Sequence, residues 1–170
     1  MHAITAQLTL KPGREKSVLN RHPWLFSGAI ARVEGKPQPG DLVQVLDGNG
    51  RFLATGYFNP HSQIRVRLLS WNVDEKVDGP FWNGRLQTAK QHRQLLNLEP
   101  ATTACRLVNA EADCLPGLGV GKYGDFLVIQ SLTMGIEIQK ETIFATLTQI
   151  LKPQGNLDRY HADAREKERL

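Results

Sequence analysis

Basic side chains that could bind phosphate groups are concentrated early in this sequence, around the stretch RHPWLFSGAI at residues 21–30. A helix over residues 14–21 would place Arg14 and Arg21 on one face, because residues seven apart lie two turns apart. His22 follows at the end of that face. Contacts to a polyanion need this arrangement, in which several flexible cations lie on one side.

A second group of cations lies on a predicted strand. In QIRVRLLSW, residues 63–71, Arg65 and Arg67 alternate and would project from one side of the sheet. Acidic partners are scarce nearby, which favours a binding surface over a set of salt bridges. The candidate contact residues are Lys11, Arg14, Lys16, Arg21, His22, Arg65 and Arg67.

The charge is uneven along the chain. Residues 1–70 hold nine Lys and Arg against four Asp and Glu, whereas residues 71–170 hold twelve against thirteen. The positive excess therefore lies in the first part, which favours a polyanionic partner, with nucleic acid as the best match. A lipid surface is less favoured, because no basic amphipathic helix accompanies the charge.

Trp24 lies inside the basic stretch and has two interpretations. Pro23 stops the preceding helix, so Trp24 would turn the chain into the next strand and pack at the edge of a core. The alternative is an exposed ring that stacks on the partner. The sequence favours the core for Trp24 and the binding surface for its basic neighbours.

Residues able to perform acid, base or nucleophilic chemistry form no recognisable constellation. The patterns G-x-S-x-G, H-E-x-x-H and Walker A do not occur, and the scattered histidines predict no metal site. Glu111 and Asp113 lie in a turn-rich segment, where carboxylates usually cap turns. Cys105 and Cys114 lack metal-site spacing and are expected to be buried thiols of a reduced intracellular protein.

The run GVGKYG at residues 119–124 matches the dinucleotide fingerprint G-x-G-x-x-G. That fingerprint must follow a strand and open a helix, so that the helix N-terminus meets the pyrophosphate. The residues that follow it here, DFLVIQSL, have strand composition, which predicts a hairpin. A nucleotide-binding oxidoreductase built on this run is the weaker hypothesis.

The first part of the chain has the pattern of a small β domain. Short strands occur at regular spacing with one short helix, and GNG at residues 48–50 is typical of a hairpin turn. We expect a closed barrel over residues 1–71.

The second part, residues 72–170, has a different pattern. A long helix over residues 78–98 has Asp78 as its cap, and an amphipathic helix covers residues 136–152. Strand candidates lie between the two helices. This part is predicted to be an α+β domain, so the fold class of the chain is mixed α/β (α+β).

No segment of the sequence predicts a membrane protein. No stretch approaches the about 20 apolar residues that a membrane-spanning helix needs. The N-terminus also lacks the apolar core of a signal peptide. We therefore expect a cytoplasmic protein without a membrane partner.

Three long motifs resemble one protein family. They are KPGREKSVLNRHPWLFSGAIARVEG, GRFLATGYFNPHSQIRVRLLS and RLVNAEADCLPGLGVGKYGD, and with the ending LDRYHADAREKERL the similarity covers nearly the whole chain. The motifs are similar to the amino-terminal part of the bacterial ribosomal large-subunit RNA methyltransferase I family. Its members are enzymes that use S-adenosylmethionine (SAM) to methylate carbon 5 of a cytosine in 23S ribosomal RNA.

The resemblance implies a PUA-like RNA-binding barrel followed by a central α+β domain. It also implies that the family's Rossmann-type methyltransferase domain, with the cofactor loop and the nucleophilic cysteine, is absent from these 170 residues. Neither Cys105 nor Cys114 matches that cysteine, and Cys114 and Gly121 depart from the residues usual in the family. We therefore expect no catalytic, SAM-binding or metal-binding residue in this chain, and the candidate contact residues become RNA contacts.

Together these observations predict the RNA-binding front portion of a SAM-dependent 23S rRNA methyltransferase. The alternative is a stand-alone PUA-type RNA-binding module without enzymatic activity. The sequence leaves the oligomeric state undetermined, and a homodimer is one option.

Overall fold

The computed structural model of the protein describes residues 4–96, 101–159 and 166. In this part of the chain ten strands form two sheets, accompanied by four α-helices. The first part contains β1 (Ala6–Leu10), α1 (Lys16–Leu19), β2 (Trp24–Phe26), β3 (Ile30–Gly35), β4 (Leu42–Leu46), β5 (Phe52–Phe58) and β6 (Ile64–Ser70). The second part contains α2 (Gly79–Gln94), β7 (Ala104–Asn109), β8 (Leu118–Tyr123), β9 (Phe126–Ser131), α3 (Met134–Ile138), α4 (Lys140–Leu151) and β10 (Gly155–Asp158).

The first sheet has the strand order β2-β6-β5-β4-β1-β3. Its neighbours are antiparallel except for β1 and β4, which run parallel. Apolar residues that alternate along the strands bury one face, where Leu8, Val45, Val66 and Leu68 form a core with Val18 of α1. Strand β3 lies at the edge of the sheet, which accounts for its mostly exposed residues.

The predicted hairpin at residues 48–50 is confirmed as the turn between β4 and β5. The carboxylate of Asp47 accepts hydrogen bonds from the backbone N–H groups of Asn49 and Arg51, at 2.8 and 2.9 Å. It also accepts one from Nε of Arg51 at 2.7 Å. These bonds favour the ionised carboxylate, so the Arg51 backbone first and its side chain second hold the pKa of Asp47 below its usual value.

The second sheet has the strand order β10-β9-β8-β7. Strands β9 and β10 are parallel and the other pairs are antiparallel. Helices α2 and α4 cover one face, because Val120, Leu127 and Ile129 of the sheet form one core with Leu86 of α2 and Ile143 of α4.

One of the two predicted long helices is continuous and the other is not. Helix α2 is observed where a helix was predicted, and Oδ1 of Asp78 caps it by accepting a hydrogen bond from the N–H of Phe81 at 3.2 Å. The single helix predicted over residues 136–152 is wrong. The backbone leaves the helical conformation at Gln139 (φ −91°, ψ 1°), which separates α3 from α4.

The two sheets share a hydrophobic core. Leu42, Tyr57 and Leu69 of the first sheet belong to the same buried cluster as Leu118 of the second. Tyr57 packs directly on Gly135 at the start of α3, where an added Cβ would lie 2.1 Å from Cγ of Tyr57. The missing side chain at Gly135 therefore allows the two parts to approach this closely.

The predicted fold class needs correction. The first part is not a barrel closed by strand pairing, since β2 and β3 lie at opposite ends of the sheet and no pairing joins them within the described residues. Strand β2 runs beside β6, the chain then turns through the 3₁₀-helix Ser27–Ala29, and β3 runs beside β1. The second part shares its core with the first sheet. The division at residue 71 stays a prediction.

Candidate nucleic-acid interface

The helix predicted over residues 14–21 is a single turn, α1, which ends at Leu19 and is followed by Arg21 in the left-handed conformation, with φ +58°. The N–H of Arg21 donates to the carbonyl of Val18 at 2.9 Å, and that of His22 donates to the carbonyl of Ser17 at 3.0 Å. These two bonds form a Schellman motif, whose left-handed position is usually glycine. A residue with a Cβ costs roughly 1–2 kcal/mol there, and strain of this kind clusters at functional sites.

The side chain of Arg21 lies over an aromatic ring. Its Cζ is 5.8 Å from the centroid of the Trp71 ring. Trp71 is itself fixed against α1, because its Nε1–H donates to the carbonyl of Val18 at 2.7 Å. Stacking uses the flat face of a guanidinium, so the N–H groups at its edge can still donate to a phosphate.

A cleft of about 380 Å³ lies beside α1 and β2. Three rings meet edge to face along it, with centroids 5.9 Å apart for His22 and Trp24 and 6.4 Å apart for Trp24 and Phe26. The Phe26 side chain is 49% exposed, and Arg14 lies in the same cleft. Rings that can stack on bases, next to cations that can hold phosphates, are the two components of a single-stranded nucleic-acid site.

Five of the predicted contact residues gather in this region of the structure, and all five are exposed. Lys11 donates from Nζ to the carbonyl of Gly28 at 2.9 Å. Within residues 4–96 and 101–159, none of the five forms an ion pair with a carboxylate. We call this region the α1 surface, which comprises Lys11, Arg14, Lys16, Arg21, His22, Trp24 and Phe26.

The other two predicted contact residues lie on β6, on the face turned away from the core that contains Val66 and Leu68. Residues alternate along a strand, and Arg65 and Arg67 share the face that carries Leu69 into the common core. Arg65 donates to the carbonyl of Pro60 and lies over the Phe58 ring at 6.0 Å. The structure therefore brings Arg67 beside Trp24 of the α1 surface, its partner in the strand register, but buries most of the Arg67 side chain.

Arg67 is held between the two parts of the chain. Its side chain is only 13% exposed and pairs with Oε1 of Glu111 at 3.5 Å. Its Cζ lies 6.0 Å from the centroid of the Trp24 ring. Arg67 thus lies beside Trp24, one of the residues that line the cleft.

Trp24 does not lie in either hydrophobic core, so its prediction as a core residue is wrong. The half-buried indole donates from Nε1 to Oε1 of Glu111 at 2.8 Å. No sequence pattern indicated this contact, because it joins two residues that are distant in the chain. The predicted turn capping is confirmed for Asp113, which accepts from the N–H of Asn109 at 2.6 Å and pairs with Arg93 at 2.6 Å.

The glycine-rich run at residues 119–124 forms part of β8 and its turn into β9, so the predicted hairpin is confirmed. Tyr123 pairs with Phe126, and Gly124 turns the chain with φ +57°. Because these glycines do not open a helix, they do not fit a dinucleotide or SAM, and we assign the cofactor no residue here. The expectation of two buried thiols is also wrong, since Cys114 is exposed and Cys105 is half-buried.

The described part of the chain contains neither a cluster of metal ligands nor a membrane-spanning helix. Among these residues no group of three or more His, Cys, Asp and Glu side chains could hold a metal ion. None of the helices there is both long and apolar enough to cross a membrane.

Comparison with known proteins first identifies the class of domain in the amino-terminal part of the chain. Residues 8–71 match the family model described as a PUA-like domain. The chain as a whole is similar to curated proteins named ribosomal RNA large subunit methyltransferase I. It is 43% identical over 167 residues to that of Erwinia tasmaniensis and 39% identical over 165 residues to that of Shigella dysenteriae serotype 1.

These relatives confirm the predicted resemblance to the ribosomal large-subunit RNA methyltransferase I family. The alignments cover 98% and 97% of this chain. The chain spans 42% of the length of these curated relatives.

Two solved structures correct the remaining part of the predicted fold class. A candidate SAM-dependent methyltransferase from Streptococcus mutans matches 92% of this chain with a TM-score of 0.77 at 20% identity. A candidate methyltransferase solved in complex with SAH matches 92% with a TM-score of 0.76, also at 20% identity. The matched region is 40% of each of those chains. The prediction that this chain lacks a methyltransferase fold is therefore wrong, because methyltransferase structures match nearly all of it.

Proposed function

We propose that this chain is the RNA-binding portion of a SAM-dependent methyltransferase that acts on ribosomal RNA. The observation that carries the proposal is the α1 surface, where Arg14 lines a cleft walled by aromatic rings and Lys11, Lys16 and Arg21 are exposed nearby in the sequence. This surface lies within the residues that match a PUA-like domain. Its chemistry suits a partner with both phosphates and bases, which is a nucleic acid.

The residues of the α1 surface divide into two roles. Lys11, Arg14, Lys16 and Arg21 contact phosphates, because each carries a flexible, exposed cation. His22 and the rings of the cleft stack on an unpaired base.

The two remaining predicted contact residues have a supporting role in this proposal. Arg67 holds Trp24 in place through its contact with the ring and its pair with Glu111. Arg65 is a contact at the margin of the site, since it is half-buried and donates to Pro60.

The reaction that we propose for the whole protein is methylation of carbon 5 of a cytosine in 23S ribosomal RNA. The names of the relatives support a ribosomal RNA substrate, and the solved neighbour in complex with SAH supports SAM as the methyl donor. We also propose a cytoplasmic location, since ribosomal RNA is modified there. No described residue of this chain is assigned to the chemical step, to SAM or to a metal ion.

The alternative of a stand-alone RNA-binding module is not favoured by these relatives, which are named as enzymes. The test is methyl transfer by the whole protein from labelled SAM to 23S ribosomal RNA, with the product located by mass spectrometry. We expect one methyl group on carbon 5 of a cytosine. Strong RNA binding by the whole protein without any methyl transfer would support the alternative instead.

A further inference from the structure

The outer face of the second sheet carries exposed aromatic side chains that are not part of the α1 surface. The strand register places Tyr123 opposite Phe126 and Gly121 opposite Val128, on the face turned away from α2 and α4. Tyr123 is 57% exposed and Phe126 is 55% exposed. On the neighbouring strand β10, Leu157 lies beside Val128 and is 63% exposed.

Strand β8 presents almost bare backbone on this face. Gly119 and Gly121 both lie on it, and the ring of Tyr123 folds across Gly121, where an added Cβ would be 2.9 Å from Cε2 of the ring. The absence of side chains leaves a shallow pocket of about 130 Å³. Arg106 and Arg159 line the pocket together with Tyr123.

The charge on this face is positive. Arg106 lies opposite Gly121, and its NH1 donates to Oε1 of Gln130 at 3.0 Å, a neutral partner. Within residues 4–96 and 101–159 Arg106 forms no ion pair with a carboxylate. Arg159 follows β10 and is exposed. The described residues that the register places on this face include no Asp or Glu.

We propose that this outer face is a second RNA site, which binds unpaired nucleotides. The bases stack on Tyr123 and Phe126, and the phosphates contact Arg106 and Arg159. Base stacking tolerates any sequence, since every base has a π-face, and the two cations complement the backbone. The proposal rests on the proposed function in taking RNA as the partner, but it concerns a different surface. A protein partner is less favoured, because a protein interface core is usually depleted of charge.

The test uses this chain and two RNA probes, a labelled unstructured oligouridylate and a blunt RNA duplex. The double variant Tyr123→Leu and Phe126→Leu keeps apolar bulk and removes both rings. We expect its affinity for oligouridylate to fall about fivefold or more for each ring. Affinity for the duplex and the salt dependence of binding should not change, because no cation is removed. Val73→Ala and Leu95→Ala, at exposed apolar positions elsewhere, are the matched controls.

Variants at the α1 surface separate this inference from the proposed function. If Arg14→Ala and Arg21→Ala weaken RNA binding and the ring variant binds oligouridylate like the wild type, the second site is overturned and the proposed function stands. If only the ring variant loses affinity, the α1 surface fails as the RNA site and the outer face stands.

Photocrosslinking with 4-thiouridine gives a direct readout of the same site. We expect crosslinks in the peptide that contains Tyr123 and Phe126. Crosslinks confined to the α1 surface would overturn the second site. A lowered melting temperature of the ring variant, with unchanged RNA binding, would show that the two rings stabilise the fold and do not bind RNA, and would also overturn the second site.

Discussion

The carboxylate of Glu111 accepts a 2.8 Å hydrogen bond from the indole Nε1 of Trp24, although the two residues are 87 positions apart in the sequence. The same oxygen lies 3.5 Å from the Arg67 guanidinium, which in turn lies over the Trp24 ring. One wall of the cleft beside α1 is therefore held in position by the second part of the chain.

Glu111→Ala should lower the free energy of unfolding by about 1–3 kcal/mol, because it removes the acceptor of the half-buried Trp24 N–H and the carboxylate that pairs with Arg67. Urea denaturation followed by tryptophan fluorescence measures the change. Glu34→Ala is the control, since Glu34 pairs with Arg32 on the exposed surface and such pairs contribute roughly 0–1 kcal/mol. Equal losses in the two variants would show that Glu111 is only a surface carboxylate.

Arg21→Gly should be more stable than Arg21→Ala by about 1 kcal/mol, because both remove the guanidinium but only alanine keeps a Cβ in the left-handed conformation. Thermal or urea unfolding of the two variants measures this difference. Both variants should bind RNA more weakly than the wild type. If alanine were equally stable, the Schellman motif at the end of α1 would not be strained.

Gly135→Ala should lower the free energy of unfolding by roughly 1–3 kcal/mol, because the new methyl group would overlap the Tyr57 ring. Gly84→Ala is the matched control within a helix. A Cβ at Gly84 meets nothing within 4 Å, and alanine there should raise stability by roughly 0.5–1 kcal/mol. The same sign for both variants would contradict the close packing of the two parts.

Asp47→Asn should make the stability of the protein less sensitive to acid. The pKa of Asp47 is lowered in the folded state, so its contribution is complete above the unfolded pKa of about 3.9 and is lost as the pH falls through the folded value. The variant should be less stable than the wild type at pH 7, and the two should converge below the pKa. Urea unfolding over a pH series checks this, with Asp74→Asn as the matched control at an exposed carboxylate.

Features that depend on neighbouring residues could be predicted from the sequence. The turn at Asp47, the cap at Asp78 and the hairpin in GVGKYG each need only the few residues beside them. The cations around α1 could also be predicted, since Arg14 and Arg21 lie in one short segment.

Features that depend on tertiary contacts could not be predicted in this way. The alternation of side chains along a strand correctly predicted that Arg65 and Arg67 share one side of β6. It could not indicate that Leu69, on the same side, is buried in the core common to both sheets. The sequence favours a core position for Trp24, because no neighbouring residue indicates that Glu111 accepts a hydrogen bond from its indole N–H. The break at Gln139 interrupts an amphipathic pattern that is itself continuous.

RNA binding through the α1 surface is tested most directly by the salt dependence of affinity for ribosomal RNA in two charge-matched variants. Arg14→Ala with Arg21→Ala removes two cations of this surface, whereas Lys76→Ala with Lys152→Ala removes two exposed cations of the second part. Each phosphate contact contributes about 0.7–0.9 to the slope of log affinity against log salt.

We predict that the arginine variant binds all RNA sequences more weakly and has a slope smaller by about 0.7–0.9 for each lost contact. The lysine variant should keep the wild-type slope. Equal slopes in the two variants, or wild-type binding that does not respond to salt, would contradict RNA binding by the α1 surface.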